Sequence, residues 1–163
     1  MVCVACRPDV QRAKGRLVYF DIKGFFTADA ARLNQKHVTV TKTVIHNGDA
    51  QTKKINNVNW VNEFNLFINA DINNPAWSNS YTIQHAKGLI VYKAKTPDLK
   101  TRSIIIKKEG DKVKWLIIYN HATNMLYENV EKLTYFPDSV YQISKSQKVR
   151  FLGKNLYSIK GVF

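Results

Sequence analysis

Cysteine is nearly missing from this chain: Cys3 and Cys6 are the only two in 163 residues. The body of the protein therefore owes nothing to disulfides or to cysteine metal sites. Acid is scarce too, with 12 Asp and Glu against 25 Lys and Arg, a formal net charge of +13 and a sequence pI near 9.8. Nowhere do about 18 apolar residues run together, so no stretch reads as a membrane-spanning helix. The chain also lacks a G-x-S-x-G, an H-E-x-x-H and a phosphate-cradling glycine loop, the signatures of several large hydrolase and nucleotide-binding classes. RNP, KH and zinc-finger patterns are absent as well.

What is present is the composition of a globular domain, 45% hydrophobic and 23% charged. The length suits a single domain with one core. We divide it into a tail, residues 1–16, and a domain, residues 17–163. The basic excess is spread along the chain, and from Ser139 onward it consists of Lys145, Lys148, Arg150, Lys154 and Lys160 with no acidic residue. Such an excess bears on attraction to anionic partners rather than on fold. A nucleic acid, an anionic membrane surface or a solvated lysine-rich exterior all fit it.

The tail admits several readings. Cys3-Val-Ala-Cys6 is formally a C-x-x-C, but Pro8 follows and no strand precedes it, as a thioredoxin-type site requires. A zinc site needs a second ligand pair, and His37, His46, His85 and His121 lack ligand spacing, so neither a metal nor another cofactor is expected. Val4-Ala5-Cys6 also looks like the end of a bacterial lipoprotein signal, which would make Cys6 the lipidated residue. Five residues precede it, so a working signal would need an upstream extension. Arg7 to Arg16 is polar, with Pro8 and Gly15, and suits a tether. A frayed terminus without a role is the plain alternative.

Two stretches carry helical periodicity. Asp21 can cap a helix, after which Ile22, Phe25, Phe26, Ala30 and Leu33 fall on one side, with Lys23, Asp29 and Arg32 elsewhere. Gly24 weakens its first turn. Farther on, Asn59 caps a second helix whose apolar face is Trp60, Val61, Phe64, Phe67, Ile68 and Ile72, opposite Asn62, Glu63, Asn65 and Asn69. Asn73-Asn74-Pro75 ends it. Between them, alternating Val and Thr from Val38 to Val44, then Asn47-Gly48, predict a hairpin. Its polar second strand, Ala50 to Ile55, suits a sheet edge guarded by lysines.

From Tyr81 on, apolar and polar residues alternate between short turn signals. Hairpins are expected about Lys87-Gly88 and Glu109-Gly110-Asp111. His121 to Asn124 reads as a loop, Met125 to Phe136 as one or two strands, and Pro137-Asp138-Ser139 as a turn. Val140 to Ser144, Val149 to Leu152 and Leu156 to Ile159 complete the set, the last two joined by Gly153-Lys154-Asn155. Ile104 and Ile106, with Ile105, Leu116 and Ile118 on the other faces, predict burial on both sides near the centre. The expected fold is α+β: a strongly curved antiparallel sheet, a meander resembling a half-barrel, packed against two amphipathic helices.

Asp71-Ile-Asn-Asn-Pro-Ala-Trp77, Leu99-Lys-Thr-Arg102, Tyr135-Phe-Pro-Asp-Ser-Val-Tyr141 and Gln147-Lys-Val-Arg-Phe-Leu-Gly153 resemble stretches of small lipoproteins of Bacteroidota-type Gram-negative bacteria. The likeness covers most of the chain from Phe20 onward. It implies a cell-envelope protein anchored by lipid, facing the periplasm and held at the outer membrane; without the signal, the location would be cytoplasmic. It brings no catalytic residues.

Three functions follow as expectations. The first is a non-enzymatic binding protein for an apolar or amphiphilic ligand or an envelope partner, lined by Phe25, Phe26, Trp60, Phe64, Phe67 and Trp115; ordinary core packing is the common role of such residues. The second is a basic nucleic-acid-binding module, with aromatic interleaving in Lys148-Val-Arg-Phe151 and Tyr157-Ser-Ile-Lys160. The third, an enzyme, has only His121 with Asp138 and Ser139 to recommend it.

Overall fold

A computed structural model describes residues 17–163; Cys3, Cys6 and the tether lie outside that range. The first helix, α1 (Ile22–Gln35), is capped by Asp21, whose Oδ1 accepts from the Gly24 amide at 2.7 Å. A Cβ on Gly24 would collide with that same carboxylate, so the residue that weakens the helix also makes room for its cap. Ile22, Phe26, Ala30 and Leu33 are buried at helical spacing, and so is Asp29. Sequence periodicity puts Asp29 on the polar side; it is buried because a sheet tyrosine and Arg32 supply its partners.

Asn47 (φ 50°) and Gly48 (φ 102°) turn the hairpin of β1 (Val40–His46) and β2 (Asp49–Ile55), as their tolerance of positive φ predicts. The second amphipathic stretch is not one rod. It forms two single turns, α2 (Trp60–Glu63) and α3 (Asn65–Ile68), broken at Phe64 (φ −91°, ψ 5°). Six asparagines among residues 56–69 explain the break, since asparagine is a poor residue for helix interiors. Its apolar side is still turned inward: Trp60, Phe64, Phe67, Ala70 and Ile72 are buried, whereas Val61 is exposed. A short 3₁₀ turn (Pro75–Trp77) leads to the strands.

The remaining strands are β3 (Tyr81–Ala86), β4 (Leu89–Ala94), β5 (Thr101–Glu109), β6 (Lys112–Thr123), β7 (Tyr127–Phe136), β8 (Val140–Val149) and β9 (Gly153–Val162). All pair antiparallel, in one open nine-stranded sheet of order β2-β1-β9-β8-β7-β6-β5-β4-β3. From β3 to β9 it is a meander. The N-terminal hairpin then extends it beyond β9, leaving β2 as one edge, exposed along Gln51 to Lys54 as expected, and β3 as the other.

Three boundaries differ from the sequence reading. His121 lies within β6 rather than in a loop. Val149 to Leu152 is the close of β8 and a turn, and Gly153-Lys154-Asn155 begins β9. The chain reverses there because Phe151 takes φ 73° and Gly153 φ 87°. The long β7–β8 and β8–β9 ladders bind these residues into regular pairing, which short-range alternation does not reveal.

Helices cover one face of the sheet. Ile104, Ile106, Leu116, Ile118, Leu133, Tyr135 and Tyr141 point into that layer and are buried. Ile105, Trp115, Ile117 and Tyr119, one residue out of phase, lie on the other face and stay half-buried. Burial on both sides of the centre is therefore not what this sheet has.

Candidate functional site

Five of the six expected ligand-lining aromatics do come together. Phe26 stands 4.6 Å from Phe67 and 5.1 Å from Phe64, ring centre to ring centre, and Trp60 stands 5.4 Å from Phe64. Phe25 meets Phe26 edge-on at 5.2 Å. These are the tilted and edge-to-face contacts of packed aromatic cores. Phe26, Trp60, Phe64 and Phe67 are buried, packed against one another and against Tyr135, Tyr141 and Phe163. Trp60 reaches a surface cleft of about 410 Å³ beside His37 and Asn57. Trp115 does not belong to the cluster. It sits on the opposite face, paired with Lys107.

Two sheet tyrosines border this core and tie it to the helices. Tyr135 donates its hydroxyl to Asp29 on α1, and Asp29 also accepts from Arg32 Nε at 2.7 Å. Arg32 reaches on to Asp138 at 2.6 Å. Tyr141 donates to Glu63 of α2 at 2.5 Å, and Lys42 Nζ closes on the same carboxylate at 2.8 Å. Burial pushes both phenols up, and the neighbouring carboxylates push the same way. Neither tyrosine is a ready base or nucleophile. Asp138 is thereby committed to Arg32, while His121 Nε2 bonds Glu128 at 3.0 Å toward the other end of β7. The strand rise separates them by roughly 25 Å, so His121, Asp138 and Ser139 do not converge.

A polar cluster missed by sequence reasoning lies toward the 124–126 turn. Glu131, 2% exposed, accepts from Asn120 Nδ2 at 3.1 Å and Asn129 Nδ2 at 2.9 Å, with Lys145 Nζ at 3.8 Å. Burial alone would raise this carboxyl, but the two amides, with Lys100 and Lys145, outweigh it and hold the group below the usual glutamate range. Asn120 Oδ1 and Asn129 Oδ1 have no partner among the described residues. The alternation of β6 and β7 points Asn120 and Glu131 inward, which was the available signal. Among the described residues no three His, Cys, Asp or Glu side chains gather as a metal site.

The five C-terminal basic residues divide. Lys145 belongs to the helix-side face with Glu131. Arg150 stands in the β8–β9 turn. Lys148 and Lys154 are direct cross-strand partners on the uncovered face, and Lys160 lies farther along it. Lys93, Lys107 and Lys132 share that face through the ladders of β4 to β7. Its carboxylates are Glu128, bound to His121, and Glu109 at the rim, paired with Lys114 at 2.7 Å. Lys132 Nζ hovers 5.7 Å from the centre of the Tyr119 ring. Two shallow clefts cross the same face. One, of about 350 Å³, is lined by Ile45, Val130, Lys132, Ser144, Ser146 and Leu156; the other, of about 490 Å³, shares Val130 and Ser146 and adds Lys148 and Lys154 together with Glu128, the cross-strand partner of Lys148.

Comparison with protein-family models, curated proteins and solved structures gives no match. Residue chemistry therefore carries the functional argument by itself.

Proposed function

We propose that this chain is a non-enzymatic binding protein of the cell envelope that takes an anionic amphiphile on the uncovered face of its sheet. One observation carries the reading: Lys132, Lys148 and Lys154 line shallow apolar clefts, with Lys93, Lys107 and Lys160 elsewhere on the same face, which no helix covers among the described residues. Lysines recognise the charged headgroup, and Val130, Ile45 and Leu156 offer the apolar body a place to lie. The closed packing of Phe26, Trp60, Phe64 and Phe67 argues against an interior ligand and favours the outer face over the aromatic core. The proposal includes lipidation at Cys6, a periplasm-facing location at the outer membrane, and a sheet curled toward a half-barrel, as its width favours.

The test is partition of the purified chain onto phosphatidylglycerol vesicles against phosphatidylcholine vesicles. Binding is expected on the anionic vesicles only, weakening as salt rises. Replacing Lys132, Lys148 and Lys154 by Gln should cost roughly a hundredfold, at about 1 kcal/mol per lysine near a charged surface. Equal partition onto both vesicle types would refute the reading. The second reading, a single-stranded nucleic-acid module, is favoured by Lys132 over Tyr119 and Lys107 beside Trp115. It wins if an oligonucleotide binds more tightly than the vesicles and with a steep salt slope.

A further inference from the structure

We infer that the paired turns at 124–126 and 150–152 are a membrane-insertion element, which dips into the headgroup boundary of an anionic bilayer. The inference rests on the anionic-amphiphile reading above and adds which atoms enter the lipid. Met125 is 86% exposed, Leu126 67%, Phe151 93% and Leu152 80%. Four large apolar side chains at adjacent turns, where polar and small residues are usual, form an exposed apolar patch. Phe151 moreover holds φ 73°, a left-handed conformation that glycine or asparagine would adopt at less cost.

Much of the backbone of these turns is paired within the protein. Asn124 Oδ1 accepts from the Leu126 and Tyr127 amides at 2.8 and 2.9 Å, and the Asn124 amide donates to Tyr127 O at 2.9 Å. The Arg150 amide donates to Leu126 O at 2.8 Å, tying one tip to the other, and the Leu152 amide donates to Val149 O at 3.2 Å. Shallow entry into the headgroup boundary therefore strands fewer backbone groups than an unpaired turn would, and those groups are the chief obstacle to burying a turn.

Charge selects the occupant. Lys148 and Lys154 flank the tips, and the Arg150 guanidinium lies 5.3 Å from the Phe151 ring centre. Cations set just behind an apolar tip match anionic headgroups above an acyl layer. A second copy would bring the same cations face to face. Four side chains also fall short of the roughly 800 Å² per partner of a stable protein interface.

The experiment uses the whole chain and phosphatidylglycerol vesicles carrying brominated acyl chains. In the Phe151→Trp variant, quenching beyond that of the parent protein is expected, because the added indole reaches the bromines. The double variant Phe151→Ser, Leu152→Ser should lower partition about tenfold while leaving the melting temperature unchanged, since both side chains are solvent-exposed in the free protein. Vesicle binding without added quenching overturns the insertion and leaves the amphiphile reading standing. No binding to anionic vesicles overturns both. A dimer in solution that the double variant dissociates would assign the tips to self-association instead, and overturns the inference.

Discussion

Tyr135 on β7 and Tyr141 on β8 are direct cross-strand partners, and each gives its hydroxyl to a carboxylate from a different helix. Asp29 and Glu63 thus dock α1 and α2 onto neighbouring points of one ladder. Arg32 and Lys42 balance the two charges. The arrangement satisfies buried polar groups on both sides of the helix–sheet boundary, where an unpaired carboxylate would be costly.

Removing either hydroxyl should therefore destabilise the fold. Tyr135→Phe is expected to cost about 1.5–3 kcal/mol, the range for hydrogen bonds to charged groups. Tyr141→Phe should fall at the lower end, because Glu63 is more exposed than Asp29 and keeps Lys42. Urea unfolding will show this as a lower midpoint with unchanged slope. A midpoint equal to that of the parent in both variants would remove the docking role.

Gly161 faces Tyr141 across the β8–β9 pair, and a Cβ there would overlap the Tyr141 ring. Gly161→Ala should displace the ring from Glu63 and cost about 1–3 kcal/mol through overpacking. The combination with Tyr141→Phe should cost less than the sum of the two, since both act on one contact. Additive losses in a double-mutant cycle would refute that coupling.

Glu131 makes the fold acid-sensitive. Its carboxyl titrates below the usual glutamate value of 4.5 in the folded protein. The unfolded chain consequently binds its proton first as pH falls, so the contribution is whole above about pH 4.5 and is lost as pH drops through the folded pKa. Melting temperatures measured from pH 7 to pH 3 should fall less steeply in Glu131→Gln than in the parent. Parallel curves for the two proteins would place the sensitivity elsewhere.

Much of this was legible in the residue order. Asn47-Gly48 marked a hairpin because few other pairs accept positive φ in succession, and Gly88 marked a second by its own freedom at positive φ. Asp21 and Asn59 marked helix starts, and both do accept first-turn amides. The closing strands were harder, since the turn at 150–152 is made of Arg, Phe and Leu, without the usual turn chemistry.

By itself the sequence determined the α+β class, the run of antiparallel strands, the lysine-guarded edge and the clustering of Phe25, Phe26, Trp60, Phe64 and Phe67. Those follow from periodicity and local conformational preference, which act over a few neighbouring residues. Only the tertiary structure decided that β1 joins β9, that Trp115 lies outside the core, that Asp29 is buried, and that the tips at 126 and 150 touch. Each depends on which face the helices cover and which strands pair at long range. Alternation says that a strand has two sides, and it takes the packed neighbours to say which one is dry.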